Sequence, residues 1–192
     1  RHVIGMLAAA PVVAGAACSS DDAGSPISVS GVGDNIELAA TGTPGLVPLS
    51  NLQAADGDEI HATYAPEVPN RISRTTARRF DVALEVVEGV CPLDPPTDTS
   101  TMMWGYRIDG DTEVSCGSPG PVLRGRVGDV ASITLTNPRS SMHPHNIDFH
   151  AVTGQGGGAA DLTVAPGEQA TIQARLLYPG AFMYHCAYGD VP

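Results

Sequence analysis

Two short stretches hold most of the residues able to bind a metal. HPHNIDFH, His143 to His150, and YHC, Tyr184 to Cys186, together contain four of the six histidines and one of the four cysteines. A thiolate with imidazoles suits copper in a trigonal electron-transfer site, usually completed by a second His and a weak axial Met. Both stretches read as extended, and side chains on a strand alternate between its two faces. His185 and Cys186 are adjacent, so they point in opposite directions and cannot easily serve one metal. His145 and His150 are an odd number of positions apart and, if extended, also face opposite ways. The economical arrangement is two metal sites, one on each face, each taking one ligand from each stretch. Cys186 then belongs with His145, and His185 with His150. The second pair is all imidazole and could hold copper with positions open to substrate. Asp148 lies two residues from His150 and shares its face. A carboxylate beside an open copper site is a candidate proton donor or acceptor. The peptide link between His185 and Cys186 would join the two sites covalently and give electrons a short path.

The elements that must position these residues are strands. DVALEVVE, Asp81 to Glu88, alternates apolar and polar residues like a half-buried strand, and TMMWGYRID, Thr101 to Asp109, reads as another. Pro119 to Asn137 predicts two strands hinged at Gly128 and Asp129. Ala160 to Cys186 predicts a short strand, a Pro-Gly turn, a strand, a second Pro-Gly turn and a final strand. No helical period of useful length occurs. The 192 residues are 42% apolar with 22 Gly and 16 Pro, a balance that favours one β domain with many turns over a helical bundle. Short strands at regular spacing predict an all-β, Greek-key β-sandwich.

Charge excludes a nucleic-acid partner. The formal net charge is −11, and all ten basic residues are scattered arginines, whereas nucleic-acid binders cluster Lys and Arg against phosphates. The first residues have the layout of an export signal: a basic start, an apolar run from Val3 to Ala17, then small residues leading to Cys18. The same layout fits a bacterial lipoprotein signal whose cysteine is lipidated, although Gly15 stands where Leu is usual. The protein is therefore expected to be exported, to the periplasm or the cell surface, with either a plain cleaved signal or a lipid anchor at Cys18. Residues 19–65 are expected to form a low-complexity tether and N-terminal arm. In an oxidising compartment Cys91 and Cys116 are the natural disulfide pair. Cys186 is left without a partner.

Other residues carry weaker signals. His143 shares a face with His145 and is expected at the surface, and His61 and His2 are given no metal role. Gly154 to Ala160 (GQGGGAA) lacks the Lys and following helix of a phosphate loop and reads as a flexible connection. Met102 and Met103, next to Trp104, are expected to be core residues and not axial ligands, because they precede the ligand strands by too far.

The stretch PHNIDFHAVTGQGGGAADLTVAPGEQ, followed by YPGAFMYHCA, resembles the first cupredoxin domain of copper-containing nitrite reductases. GPVLRGRVGDVASITLTN resembles the strand pair that precedes it in multicopper oxidases generally. The match covers about Pro66 to Ala187 and implies an incomplete first cupredoxin domain over 66–192. Position by position it implies His145 and Cys186 on type 1 copper, His150 and His185 on type 2 copper, and Asp148 as the acid that hydrogen-bonds nitrite. It also implies a homotrimeric enzyme that reduces nitrite to nitric oxide with one electron and two protons. An external donor, a small cupredoxin or a cytochrome c, would supply the electron. The family places a further His and then a Met after the His-Cys pair, and a second cupredoxin domain beyond them. Neither precedes Pro192, so the chain is expected to be a piece of a longer protein.

Three rival functions remain. A laccase-like oxidase using O2 needs a His on both sides of the cysteine; the order here is His-Cys-Ala, although His143-Pro-His145 supplies one His-x-His. A cupredoxin electron carrier would need no His150, His185 or Asp148 on the opposite face. A structural protein linked through Cys186 is the third.

Overall fold

The computed structural model describes residues 46–113, 119–153 and 155–189. The export signal, Cys18 and residues 19–45 of the tether lie outside the described residues. So does Cys116; Cys91 is disulfide-bonded.

Among the described residues eight strands make up the regular structure: β1 (Ala62–Thr63), β2 (Arg79–Asp94), β3 (Thr99–Ile108), β4 (Val122–Leu123), β5 (Val130–Thr136), β6 (Asp148–Phe149), β7 (Gln169–Arg175) and β8 (Tyr184–His185). Among the described residues only three short 3-10 segments interrupt them, and the fold is all-β as the turn-rich composition predicts. The main sheet has the order β3-β2-β5-β7, and two ribbons pair β1 with β4 and β6 with β8. β2 and β3 form a long antiparallel hairpin from Leu84 opposite Ile108 to Asp94 opposite Thr99. β5 instead runs parallel to β2, with Arg79 opposite Val130 and Glu85 opposite Thr136. A parallel pair cannot be joined by a tight turn, so after β3 the chain leaves the sheet, passes through β4 and returns to it as β5.

The period-two pattern sets the core. On β2, Phe80, Val82, Leu84 and Val86 point inward, and on β5 Ala131, Ile133 and Leu135 do the same. The facing layer supplies Ile147, Phe149, Leu162 and Val164, closing one apolar cluster between the layers. Each fully buried side chain of this kind contributes about 1.5–3 kcal/mol through loss of water-exposed apolar surface. Met102 departs from expectation. It is 43% exposed, in the run Thr99 to Met102 of β3 whose residues are all exposed.

Residues 46–65 lie along this sandwich. Leu52 is buried, Ala54 bridges Arg79, and β1 pairs with β4. His61 stacks on Phe80 with ring centroids 3.9 Å apart, and its Nδ1 lies 2.9 Å from the Arg124 carbonyl. Behind it, Asp129 is fully buried and accepts two 2.7 Å bonds from the Arg74 guanidinium and two 2.8 Å bonds from the backbone N–H groups of Arg78 and Arg126. Arg74 also donates to Glu59 through Nε at 2.8 Å.

Candidate functional site

The β6–β8 ribbon places one set of ligand-type side chains. Asp148 pairs with His185 and Phe149 with Tyr184, and the His150 N–H donates to the Met183 carbonyl at 3.0 Å. Opposed residues of an antiparallel pair share a face. Phe149 and Tyr184 therefore turn inward together, with ring centroids 5.2 Å apart, and Asp148, His150 and His185 turn outward. The Nε2 atoms of His150 and His185 are 3.1 Å apart, and ligand atoms of all three residues lie within 4.8 Å of one another. His185 Nδ1–H donates to the Cys186 carbonyl at 3.0 Å. With the proton on Nδ1, its Nε2 keeps a lone pair directed at His150.

One residue further on, Cys186 falls on the inward side. Its Sγ lies 3.8 Å from Nδ1 of His145, which is 1% exposed. His145 is held by a two-way backbone bridge to Val164, with bonds of 3.0 and 2.8 Å. Asn146 secures the approach: its side-chain oxygen accepts the Ala187 N–H at 2.8 Å, and its carbonyl accepts the Tyr106 hydroxyl at 2.6 Å. The structure thus brings together the two pairs expected from strand parity, with Asp148 beside the outer pair. His143 is half exposed and packs against Trp104, with ring centroids 4.9 Å apart.

The electrostatics of the inner pair are shaped by burial and neighbours. Burial pushes the Cys186 thiol up, but His145 and the hydrogen bonds with Asn146 and Tyr188 outweigh it and bring it down to about 7. Burial alone would lower His145, yet Cys186 and Glu88 raise it. For Glu88, burial acts upward while the N–H of Met142, the His145 ring and the N–H of His143 hold the carboxylate below its usual range. These donors fit copper: a readily ionised thiol facing an imidazole nitrogen on one side, and two imidazoles with a carboxylate on the other.

Three contributors were not singled out from the sequence. Glu88 bonds His145 Nε2 at 2.8 Å; its parity with Phe80, Val82, Leu84 and Val86 was the available signal, since an acid on an inward strand position demands partners. Asn146 acts through contacts to Tyr106 and Ala187 that no local pattern announces. Gly157 belongs to GQGGGAA, whose residues Gln155–Gly158 turn through left-handed backbone, with φ of +60° at Gly156 and +52° at Gly157, and lie against β6. A Cβ at Gly157 would lie 2.2 Å from Asp148 Oδ1 and 2.5 Å from Phe149 N and O.

The multicopper oxidase family model matches residues 92–190. The chain is 41% identical over 129 residues to the copper-containing nitrite reductase of Neisseria meningitidis serogroup A, an alignment covering 67% of this chain and 31% of that protein. It is 47% identical over 75 residues to the copper-containing nitrite reductase of Alcaligenes xylosoxydans xylosoxydans, covering 38% of this chain and 23% of that one. Among solved structures, the copper nitrite reductase from Nitrosomonas europaea aligns with a TM-score of 0.48 at 30% identity, over 59% of this chain and 36% of that one. The chain spans about a third of the length of the first of these curated relatives.

Proposed function

The chain belongs to the multicopper oxidase family, and from that premise we propose that it forms the first cupredoxin domain of a copper-dependent enzyme that reduces nitrite to nitric oxide. Cys186 and His145 hold type 1 copper, and His150 and His185 hold type 2 copper. The observation that carries this reading is the opposed pairing around a single peptide bond. Cys186 faces His145 at 3.8 Å, while His185 faces His150 at 3.1 Å with Asp148 alongside. An electron carrier needs only the first pair. The names of the relatives favour nitrite as the substrate.

Copper at these donor sets supplies one-electron redox chemistry and a coordination position open to substrate. The chain's own residues do the rest. The peptide bond from His185 to Cys186 joins the two donor sets covalently. His150 and His185 are exposed, so the outer cluster has room for substrate and for a ligand from a neighbouring subunit of a homotrimer. The Asp148 carboxyl hydrogen-bonds a nitrite oxygen and passes to it one of the two protons with which that oxygen leaves as water; the second comes from solvent at the exposed outer cluster. Gly157 lets the adjacent turn lie against Asp148 and hold it in place. A small cupredoxin or a cytochrome c delivers the electron outside the cytoplasm, in the periplasm or at the cell surface. The basic start, the apolar run and Cys18 support that location.

The test is anaerobic nitrite turnover by the copper-loaded, full-length protein as its gene encodes it, with a reduced dye as donor and direct detection of nitric oxide. Nitric oxide at enzymatic rates supports the reductase. Its absence, with oxygen consumed in the presence of phenolic donors, moves the assignment to a laccase-like oxidase and removes the role given to Asp148.

A further inference from the structure

Glu88 closes the inward face of β2, and its side chain is only 6% exposed. Three N–H donors converge on it. Met142 N–H reaches Oε2 at 2.8 Å, while His143 N–H and the His145 ring Nε2 reach Oε1 at 3.0 and 2.8 Å. The segment leading from β5 to β6 is therefore wrapped around one carboxylate, which lies fifty-seven positions earlier in the chain than His145. Buried carboxylates are costly unless they are fully paired. This one is paired, and all three of its donors come from Met142 to His145.

The bond to Nε2 has a chemical consequence for the opposite ring nitrogen. A neutral imidazole carries one proton, and a carboxylate at Nε2 accepts it there. Nδ1 is then left with a lone pair, and Nδ1 is the atom 3.8 Å from Cys186 Sγ. A backbone carbonyl at Nε2 would select the same tautomer. A carboxylate adds a negative charge, which favours the more positive oxidation state of a metal held at Nδ1.

We propose that Glu88 is a positioning residue for His145: it sets the ring's tautomer and orientation toward Cys186, and its charge lowers the reduction potential of copper held by that pair. This rests on the assignment of His145 and Cys186 to type 1 copper.

The experiment compares the parent, Glu88→Gln and Glu88→Asp in the copper-loaded, full-length protein. Three properties are measured: the visible thiolate-to-copper absorption, the midpoint potential by redox titration, and copper retention against a competing chelator. Gln keeps the volume and an oxygen acceptor but loses the charge. It is expected to raise the midpoint potential, by about 59 mV for a tenfold change in the ratio of cupric to cuprous affinity. Asp keeps the charge but shortens the reach. It is expected to weaken copper retention about 10–100-fold, as loss of outer partners of metal ligands does elsewhere, and to stay nearer the parent in potential than Gln does. The resonance signal of the outer, His150-His185 copper should be unchanged in both variants, which a general loosening of the fold would not spare. A folded Gln variant matching the parent in all three properties overturns the proposal. If Gln does not fold, an Asp variant with parental absorption and copper retention overturns it instead. A parent protein with no thiolate-to-copper absorption removes the copper assignment and this inference together, and is thereby told apart from a failure of Glu88 alone.

Discussion

Asp148 is held from two sides, by the strand that carries it and by the glycine turn that lies over it. Replacing it with Asn keeps its size but removes the ionisable group, so nitrite turnover should fall by about 10²–10⁴-fold, the usual worth of a positioned acid. Copper per chain should stay at the parent value; copper loss on metal analysis would make Asp148 structural. Gly157 tests the same position indirectly. Its φ of +52° disfavours any side chain, and an added methyl would meet Asp148 Oδ1 and the Phe149 backbone. Gly157→Ala should destabilise the fold by about 1–3 kcal/mol in chemical denaturation, and should lower turnover while leaving the absorption of the Cys186 site intact. A variant that loses stability but keeps full turnover would show that the turn does not position the carboxylate.

At the level of elements, the ribbon and the arm do different jobs. The β6–β8 ribbon is amphipathic in the strict sense of strand geometry: Phe149 and Tyr184 enter the core, and the same pairing forces Asp148, His150 and His185 out together. The arm is fastened through Arg74, which donates to Glu59 of the arm and to Asp129; the Asp129 carboxylate takes four hydrogen bonds, two from Arg74 and two from the backbone N–H groups of Arg78 and Arg126. Asp129→Ala would leave a largely buried guanidinium and two N–H groups without their acceptor. A loss of about 3–5 kcal/mol is expected, read as a lower urea midpoint with an unchanged slope. The ligand set lies on other elements, so the metal-site spectrum of the surviving folded protein should not change. The sequence placed a hinge at Gly128 and Asp129, and Gly128 does adopt a φ of +94° there. The buried ion pair was not legible, because Arg74 and Asp129 are fifty-five positions apart and nothing local announces their meeting.

For the molecule as a whole, both donor sets hang from one layer of the sandwich. His145, Ile147 and Phe149 follow one another along the chain, and Ile147 and Phe149 pack on the β2 and β5 side chains of the opposite sheet. Leu84 is fully buried in that sheet. Leu84→Ala should cost about 2–5 kcal/mol through lost transfer energy and a residual cavity. Because both pairs depend on that packing, copper should be released from both sites in one transition as the variant is heated, at a lower temperature than in the parent. Release from one site well before the other would mean that the two are supported independently.

What the sequence determined by itself follows from rules of short range. Alternation along Asp81–Glu88 marks the strand, Pro-Gly pairs mark the turns, and the parity of His145, His150, His185 and Cys186 divides four ligand-type residues into two pairs. These hold because a strand has a period of two wherever it sits. Tertiary structure decided the parallel pairing of β2 with β5, the burial of Asp129 against Arg74, the contacts of Asn146, the turn of Gly157 onto Asp148 and the bond from His145 to Glu88. Each joins groups whose separation along the chain says nothing about their distance in space, or a loop whose glycines permit many paths. Packing selects one of those paths by burying the apolar faces while leaving each inward polar group a partner.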